Sequence, residues 1–156
     1  MKKLLVLNLI LLIFTSSCGF KVVNKSQLGN YEIAEIITSG EKRVNYIIKN
    51  KLLLKSEPGE KKLIRLNINS KIKKSIEEKN IKNEITKYKI ALTVLVEITE
   101  INNNNNKEFT ISQMGYYDVA NQHSLTLNNE KKLIRLLSDK IGDEILDELI
   151  FKMNVN

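Results

Sequence analysis

The residues that could carry out chemistry are few and scattered. The chain of 156 residues has one cysteine, Cys18, and one histidine, His123. His123 lies in the polar run 121–124, where a solitary imidazole is more often a surface group than a general base. No cysteine and histidine cluster has metal-ligand spacing, and no glycine-rich phosphate loop is present in the sequence. We therefore predict that the protein is not an enzyme and uses no metal or dissociable cofactor.

Cys18 is the residue whose setting does indicate chemistry. Two lysines follow Met1, the mostly apolar run Leu4–Phe14 comes next, and small residues lead up to the cysteine. This order is typical of a secretory signal peptide, because about 20 apolar residues are needed to span a bilayer. We predict a signal peptide at 1–17 and a lipid anchor, a diacylglycerol group with an N-acyl chain, on the Cys18 thiol. The alternative is an ordinary secretory signal that leaves a free thiol, since Thr15 stands where a lipobox usually has leucine.

Composition bounds the domain organisation and the partners. Residues 18–30 predict a polar, lipidated tether, and residues 31–156 are of a length that suits a single domain. Gly19, directly after the cysteine, favours sorting to the outer membrane. The formal net charge of +7 at pH 7 suits anionic lipid or an acidic partner. Export argues against nucleic acid, and the abundance of Lys, Asn and Ile leaves compositional drift as an alternative source of the charge.

The rest of the sequence alternates between two periodicities. Apolar residues at every second position predict half-buried strands, and apolar residues at helical spacing predict amphipathic helices. The expected elements are a strand at 31–38, a helix at 41–55, strands at 62–76, 86–101 and 109–119, and a helix at 128–153. This order predicts an α+β fold: a two-layer β-α-β-β-β-α sandwich with an antiparallel-rich four-stranded sheet and two helices packed on one face. The other face should be polar and open to a partner.

Residue types also predict how the elements begin and end. Ser39 is a candidate cap for the first helix. Gly115 predicts a bulge or twist point in the last strand. Polar runs at 77–83 and 102–106 are expected to form the two turns that join the strands.

The last helix has the strongest periodicity in the chain. Its expected apolar stripe consists of Leu133, Leu136, Leu137, Ile141, Ile145, Leu146, Leu149, Ile150 and Met153. Arg135 should form an ion pair with Asp139, and Lys140 with Glu144, because residues four apart are neighbours on a helix. We expect the stripe to pack onto the sheet rather than to lie on a membrane, since the polar side of the helix is rich in acids.

Basic residues crowd the second and third strands. An ammonium group binds phosphate as a point charge, so these residues could contact phosphorylated lipid. The candidate contacts are Lys71, Lys73, Lys74, Lys79, Lys82, Lys87 and Lys89. The alternative is a basic hairpin that is merely solvated. The segment Gly115–Asp118 is a second candidate surface, because tyrosine is favoured at interfaces, although tyrosines are equally ordinary in a half-buried strand.

The sequence resembles the LptE family of lipopolysaccharide-assembly lipoproteins. The resemblance rests on Cys18–Lys21, on the element order, on Tyr116–Ala120 followed by Ser124–Thr126, and on the final helix Asn128–Met153. It spans essentially the whole chain after the signal peptide, through short motifs. The chain departs from the family at Val22–Asn24, where members often have Pro-Leu-Tyr.

The resemblance implies a function. LptE-like proteins lie on the periplasmic side of the outer membrane and plug the lumen of the LptD β-barrel. They help that barrel fold and assist delivery of lipopolysaccharide to the outer leaflet, without catalytic residues. The alternative is a lipoprotein that binds or carries a lipid or another amphiphile. A carrier would need a cavity between the sheet and the helices, whereas the apolar stripes of this chain are sized to pack against each other.

Overall fold

The computed structural model describes Leu28 and residues 31–55, 61–103 and 105–154. The predicted signal peptide at 1–17, the lipidation site Cys18 and the tether at 18–30, apart from Leu28, lie outside the described residues. Leu28 is buried, and its carbonyl oxygen accepts a hydrogen bond of 3.1 Å from the backbone nitrogen of Tyr31. The chain therefore enters the domain at the start of the first strand.

The described residues form a four-stranded mixed sheet and two helices, which confirms the predicted α+β class. The elements are β1 (Tyr31–Gly40), α1 (Lys42–Leu53), β2 (Lys62–Lys79), β3 (Ile85–Glu100), β4 (Asn106–Asp118) and α2 (His123–Asn154). The strands lie in the order β1-β2-β3-β4. β1 is parallel to β2, as a strand-helix-strand crossover requires, and the other two pairs are antiparallel.

The core lies between one face of the sheet and the two helices. Every second residue of β3 from Ile90 to Ile98 is essentially inaccessible to solvent, and so are Ile48 and Leu52 of α1 and Ile141 of α2. Full burial of such a side chain contributes about 1.5–3 kcal/mol relative to exposure. The apolar face of the sheet therefore packs against the apolar stripes of the helices as the sequence predicts, and both helices lie on the same face of the sheet.

β1 differs from a regular alternating strand at one point. Its register against β2 shifts between Ile33 and Glu35, so one residue more lies on β1 than on its partner there. Such a bulge moves the following side chains to opposite faces. As a result Ile36 is buried whereas its neighbour Ile37 is 48% exposed, which explains why the sequence of this strand does not separate into two clean faces.

The prediction that Ser39 caps α1 is wrong. The helix is preceded by Glu41, whose backbone nitrogen donates to the hydroxyl oxygen of Ser70 at 3.0 Å and lies 3.3 Å from its carbonyl oxygen. Ser39 belongs to β1 instead, and its carbonyl oxygen accepts a hydrogen bond of 2.8 Å from the side-chain amide of Asn45. Glu41 is the N-cap residue and makes no side-chain capping bond. The contact that fixes the start of the helix comes from Ser70 on β2, 29 residues along the chain, so local sequence could not show it.

Gly115 lies at a close approach rather than at the predicted bulge. The pairing of β3 with β4 is regular along its length and places Gly115 opposite Ile90. A β-carbon at Gly115 would lie 2.6 Å from a methyl group of Leu133 in α2. The helix therefore packs closely onto the backbone of β4, and a side chain at this position would have to displace the Leu133 methyl group.

The last helix begins earlier than predicted, at His123 rather than Asn128. The hydroxyl oxygen of Thr126 accepts a hydrogen bond of 2.9 Å from the backbone nitrogen of Ala120, which fixes the chain before the helix. The predicted apolar stripe is otherwise buried or half-buried, but Leu136 is 52% exposed. Leu136 lies beyond the edge of the contact with the sheet, so it belongs to the outer surface of the helix.

The two predicted ion pairs within α2 do not form among the described residues. Glu144 instead accepts a hydrogen bond of 2.5 Å from the amide of Gln113 in β4. The backbone oxygen of Asp139 accepts a hydrogen bond of 2.7 Å from the ammonium group of Lys51. The same ammonium group pairs with the carboxylate of Asp143 at 2.7 Å. Contacts with neighbouring elements have replaced contacts along the helix.

β2 and β3 extend beyond the helices as a projecting hairpin. The residues of β2 after Ile72 are all exposed. The turn runs through 80–84 rather than the predicted 77–83, and Asn80 organises it. The side-chain oxygen of Asn80 accepts hydrogen bonds from the backbone nitrogens of Lys82 and Glu84 at 2.9 and 3.0 Å. Of the polar run 102–106, Asn102 and Asn103 lie in the other turn as predicted, Asn104 lies outside the described residues, and Asn106 already belongs to β4.

Replacing Gly40 with Ala should destabilise the fold strongly. Gly40 has φ of +89°, and a β-carbon there would lie 2.0 Å from the backbone oxygen of Ser70. The left-handed backbone alone costs a residue with a side chain about 1–2 kcal/mol, and the clash adds to this. We expect the free energy of unfolding, measured by urea titration of the full chain, to fall by at least about 2 kcal/mol.

Gly142→Ala is the matched control for this substitution. A β-carbon at Gly142 in α2 would meet only the flexible side chain of Lys51, at 2.8 Å. Alanine also favours a helix interior by about 1 kcal/mol over glycine. We expect this variant to be close to the wild type in stability. Equal unfolding midpoints for the two variants would contradict the role assigned to Gly40.

Candidate anion-binding surface on the open face of the sheet

Three of the predicted lysines share the face of the sheet that the helices leave uncovered. Lys71 and Lys73 lie two residues apart on β2, and Lys89 lies on β3, diagonal to Lys73 across the pairing of Lys73 with Ala91. Residues at such positions are about 7 Å apart. We refer to Lys71, Lys73 and Lys89 as the open-face lysines.

The open-face lysines have no ion-pair partner among the described residues. The ammonium group of Lys89 lies 5.9 Å from the ring centroid of Tyr116 on β4. Like charges at this spacing repel each other, and the repulsion is screened by salt because the side chains reach solvent. A phosphate group would neutralise these charges and accept hydrogen bonds from more than one ammonium group.

Three further predicted lysines lie toward the end of the projecting hairpin. Lys87 pairs with Glu78 at 3.1 Å and lies 3.9 Å from Asp118. Its hydrogen bond and charge interaction with Glu78 raise the pKa of the Lys87 ammonium. Lys79 donates to the side-chain oxygen of Asn83 at 2.9 Å, and Lys82 is exposed in the turn. Of these three, Lys82 alone has no side-chain partner among the described residues.

Lys74, the remaining candidate, lies on the opposite face of the sheet. Its ammonium group pairs with Glu130 of α2 at 2.7 Å and lies over the ring of Tyr88, 4.3 Å from the centroid. The hydroxyl of Tyr117 donates to the same carboxylate oxygen at 2.8 Å, and the rings of Tyr88 and Tyr117 stack with centroids 5.5 Å apart. We refer to these four residues as the Lys74–Glu130 cluster. It closes the core where the cover of the helices ends.

Burial and hydrogen bonding act in opposite directions on the charges of this cluster. Burial alone would lower the pKa of Lys74, but hydrogen bonds with Glu130 and Tyr117 outweigh it and raise the pKa above its ordinary value. Burial alone would raise the pKa of Glu130, but hydrogen bonds from Lys74 and Tyr117 hold it below its ordinary value. Burial raises the pKa of the Tyr117 phenol. Lys74 is therefore committed to a structural ion pair.

The two neighbouring tyrosines of the second candidate surface point in opposite directions. Tyr116 is 49% exposed on the open face, beside Lys89, whereas Tyr117 is buried in the Lys74–Glu130 cluster. Only Tyr116 therefore adds to a surface that a partner could reach. The sequence pattern allowed both orientations, and the pairing of Tyr88 with Tyr117 decides between them.

The domain has two ends of different character. Tyr31, the first residue of β1, lies opposite Lys62 at the start of β2, so the tether joins the sheet at that end. The turn of the projecting hairpin lies at the other end of β2, an 18-residue strand that spans about 55 Å. Ile81 at the turn is fully exposed. All seven candidate lysines lie in the half of the sheet away from the tether.

The remaining candidates among the described residues are the histidine, metal-binding groups and membrane-spanning helices. His123 is exposed at the first residue of α2. No group of three or more His, Cys, Asp or Glu residues in the described part of the chain could hold a metal ion. Within the same part, no helix combines the length and the apolar character that a membrane span requires.

Solved structures of three bacterial lipoproteins share this fold. The rare lipoprotein B of Shewanella oneidensis matches with a TM-score of 0.57 and 13% identity, over 76% of this chain and 95% of that chain. A lipoprotein of Caulobacter crescentus matches with a TM-score of 0.58 and 14% identity, over 85% and 97% of the two chains. Lipoprotein B of Nitrosomonas europaea matches with a TM-score of 0.59 and 10% identity, over 88% and 94%.

The domain thus has the rare lipoprotein B or LptE-like fold. No family model matches the sequence, and no curated protein matches it. The fold is therefore shared at identities of 10–14%. Conservation of such a fold at so low an identity depends on the alternation of apolar and polar positions more than on particular side chains.

Glu130→Gln should show how far the Lys74–Glu130 cluster stabilises the fold. The pKa of Glu130 is lower in the folded protein than its ordinary value of 4.5. The charge of Glu130 therefore stabilises the protein fully at any pH above 4.5. The contribution is lost as the pH falls through the lower folded pKa. We expect the variant to lose about 1 kcal/mol of unfolding free energy at pH 7, and the difference from wild type to shrink below pH 4.5. Urea titrations of the full chain between pH 7 and low pH would measure it.

Glu78→Gln is the control for this series. It removes a carboxylate that lies 3.1 Å from Lys87 on the exposed part of the hairpin, where an ion pair contributes little. Its unfolding midpoint should stay close to that of the wild type throughout. A Glu130→Gln deficit that persists undiminished at low pH would show that the ionised carboxylate does not hold the cluster together.

Proposed function

We propose that the protein is a lipid-anchored lipoprotein of the outer membrane, on its periplasmic side, that plugs and helps assemble an LptD-type β-barrel. In this role it would assist insertion of lipopolysaccharide into the outer leaflet. The observation that carries the proposal is the shared fold: the domain matches 94% or more of the length of three lipoprotein structures. The signal peptide and the setting of Cys18 in the sequence support the anchor.

The opposite ends of the domain support this placement. A tether of 13 residues, Cys18–Asn30, reaches about 40 Å when fully extended. The hydrocarbon core of a bilayer is about 30 Å thick, less than the length of β2. A domain that enters the barrel lumen with its tethered end at the inner leaflet would bring the hairpin near the outer leaflet. The open-face lysines would then lie at the level of the lipopolysaccharide phosphates.

The packing of the core favours a plug over a lipid carrier. The largest fully buried side chains come from both layers, among them Ile48, Leu66, Leu92 and Ile145. These side chains fill the space between sheet and helices that a carrier would use for an acyl chain. The open face has mainly polar and charged side chains instead, beside the exposed Ile37 and Met114. The polar side chains suit the polar lumen wall of a large barrel.

In this role the partners of the protein would be lipopolysaccharide, the barrel and the membrane bilayer around the anchor, and nucleic acid would not be a partner. The covalent diacylglycerol and N-acyl chain on Cys18 would be the only attached groups. The protein would act without catalysis, through binding and shape alone.

Purification of the tagged full-length protein from its own membranes tests the plug directly. We expect a large β-barrel protein to be recovered in a one-to-one ratio in mild detergent, because a plug is enclosed by its barrel. The Cys18→Ala variant is the control: it should lose labelling by radioactive fatty acid and still bind the barrel, since the lipid only tethers the domain. Recovery of the wild-type protein without a barrel would refute the plug role.

Removing the positive charge of the open-face lysines tests the phosphate contacts. We expect the triple variant Lys71→Gln, Lys73→Gln and Lys89→Gln to bind liposomes that contain purified lipopolysaccharide at least about tenfold more weakly, since each lysine near an anionic surface contributes about 1 kcal/mol. The matched control replaces Lys42, Lys131 and Lys140, which are exposed and without ion-pair partners among the described residues. Co-sedimentation with the liposomes measures the binding of both triple variants. Equal losses in the two variants would show that total charge, rather than the open face, governs binding.

A further inference from the structure

The outer edge of β4 is open to pairing with another strand. β4 ends the sheet, and no strand lies beyond it in the described part of the chain. An edge strand presents a row of unpaired backbone N–H and C=O groups on which another strand can pair. Residues 109–117 carry no charged side chain and no proline, and their pairing with β3 runs without a register shift. We refer to the outer side of these residues as the β4 edge.

The other two edges of the described sheet are protected. β1 carries the bulge between Ile33 and Glu35. β2 has no strand of the described chain beside it after Ser70, but the stretch 71–79 carries four lysines and two register shifts. Charged side chains and bulges are features by which natural sheets block edge pairing. The β4 edge has neither, and its uncharged sequence, rich in aromatic and β-branched residues, is of the kind that pairs readily.

Helix α2 runs along β4 on the covered face of the sheet. The side chain of Leu133, near the start of the helix, lies against Gly115. The ammonium group of Lys152, near the end of the helix, lies 5.9 Å from the ring centroid of Phe109. The helix therefore follows the strand in the opposite direction along most of its length.

Two large apolar side chains of α2 are exposed on the side of the helix that faces β4. Leu136 is 52% exposed and Phe151 is 62% exposed. Phe151 follows Leu133 by 18 residues, or about five helical turns, so it projects in the same direction as Leu133. Leu136 follows Leu133 by three residues and projects about 60° away from it. The helix thus offers apolar surface beside the β4 edge as well as over the strand itself.

An open groove lies where the first half of α2 passes the end of β4. Its volume is about 330 Å³, and its lining includes Tyr116, Asp118, Asn129, Lys132, Leu133 and Leu136. A strand paired to the β4 edge would direct every second side chain toward α2, into this groove and against Leu136. Contacts of alternate side chains with such pockets give an added strand its specificity, while the backbone hydrogen bonds give affinity.

The chemistry of the edge determines the kind of occupant. A row of backbone donors and acceptors that repeats along a strand is matched by another extended backbone. Because residues 109–117 are uncharged, a charged side chain directly opposite them would lose water without gaining a partner. Thr110 and Ser112 lie on the open face, where polar neighbours suit them, whereas Leu136 and Phe151 suit apolar ones. The matching occupant is an extended, uncharged segment in which polar and apolar residues alternate.

We propose that the β4 edge binds such a segment of the barrel protein as a fifth strand of the sheet. This inference rests on the proposed function, in which the barrel is the protein that encloses the domain. The segment belongs to a loop or a chain terminus of the barrel protein, because the wall strands of a closed barrel are already paired on both sides. The added strand leaves the open-face lysines accessible, since they lie on β2 and β3.

Amide hydrogen exchange with single-residue resolution tests this contact. In the full-length protein without the barrel, the amides of residues 109–117 that face away from β3 should exchange fast, in alternation with slow amides that bond to β3. In the purified one-to-one complex we expect the fast amides to slow at least about tenfold, because each gains a backbone partner. Residues 71–79 of β2 are the internal control and should show no such slowing.

A pair of double variants tests the part that α2 plays. Leu136→Glu with Phe151→Glu places charge where the apolar side chains of the added strand would lie, so the slowing at the β4 edge should fall at least about tenfold. The matched control is Tyr46→Glu with Leu54→Glu, which changes side chains 69% and 83% exposed on or directly after α1. It should keep the slowing. Unchanged slow exchange of the buried stretch of β3 shows that each variant is folded.

The outcomes separate this inference from the plug role. A barrel that is recovered one-to-one but leaves the amides of the β4 edge fast overturns the inference and leaves the plug role standing. Equal loss of slowing in the two double variants also overturns it. Slowing that appears without the barrel and grows with protein concentration would assign the edge to a second copy of this chain instead. Recovery of the protein without any barrel overturns both proposals.

Discussion

The structure depends on one constraint: a single face of the sheet must be buried, and two helices supply its cover. β2 from Ile64 to Ile72 and β3 from Ile90 to Ile98 alternate, so every second side chain except Ser70 contributes to one apolar surface, which α1 and α2 shield from water. Because each buried side chain leaves its neighbour pointing outward, the burial also fixes the polar character of the opposite face. The open-face lysines are a consequence of that alternation.

The cover extends over only part of the sheet, and this mismatch creates the features of interest. β2 continues past Ile72 into exposed residues, and the hairpin that it forms with β3 projects beyond α1. At the boundary, Lys74 and Glu130 close the core with a charge pair shielded by Tyr88 and Tyr117. A methionine or leucine would bury as much surface there, whereas the ion pair and the phenol orient α2 on β4 through directed hydrogen bonds.

The distribution of charge follows the long axis of the domain. The chain enters at one end, the candidate lysines lie toward the other, and Arg43 and Arg135 line a groove between the two helices. The fold itself is shared with three lipoprotein structures at 10–14% identity.

The sequence by itself determined the fold class, the order of the elements and the open polar face, because alternation and helical spacing are local properties of the chain. It also indicated the export signal and the candidate lysines. The tertiary structure alone decided which of those lysines are paired: Lys74 contacts Glu130, Lys87 pairs with Glu78, and the open-face lysines have no ion-pair partner among the described residues. It likewise placed Glu41 rather than Ser39 at the start of α1, held there by Ser70, and formed no ion pair between Arg135 and Asp139 among the described residues. The physical reason is that such pairings join residues far apart in the chain, whose distance is set by strand register and helix packing rather than by spacing in the sequence.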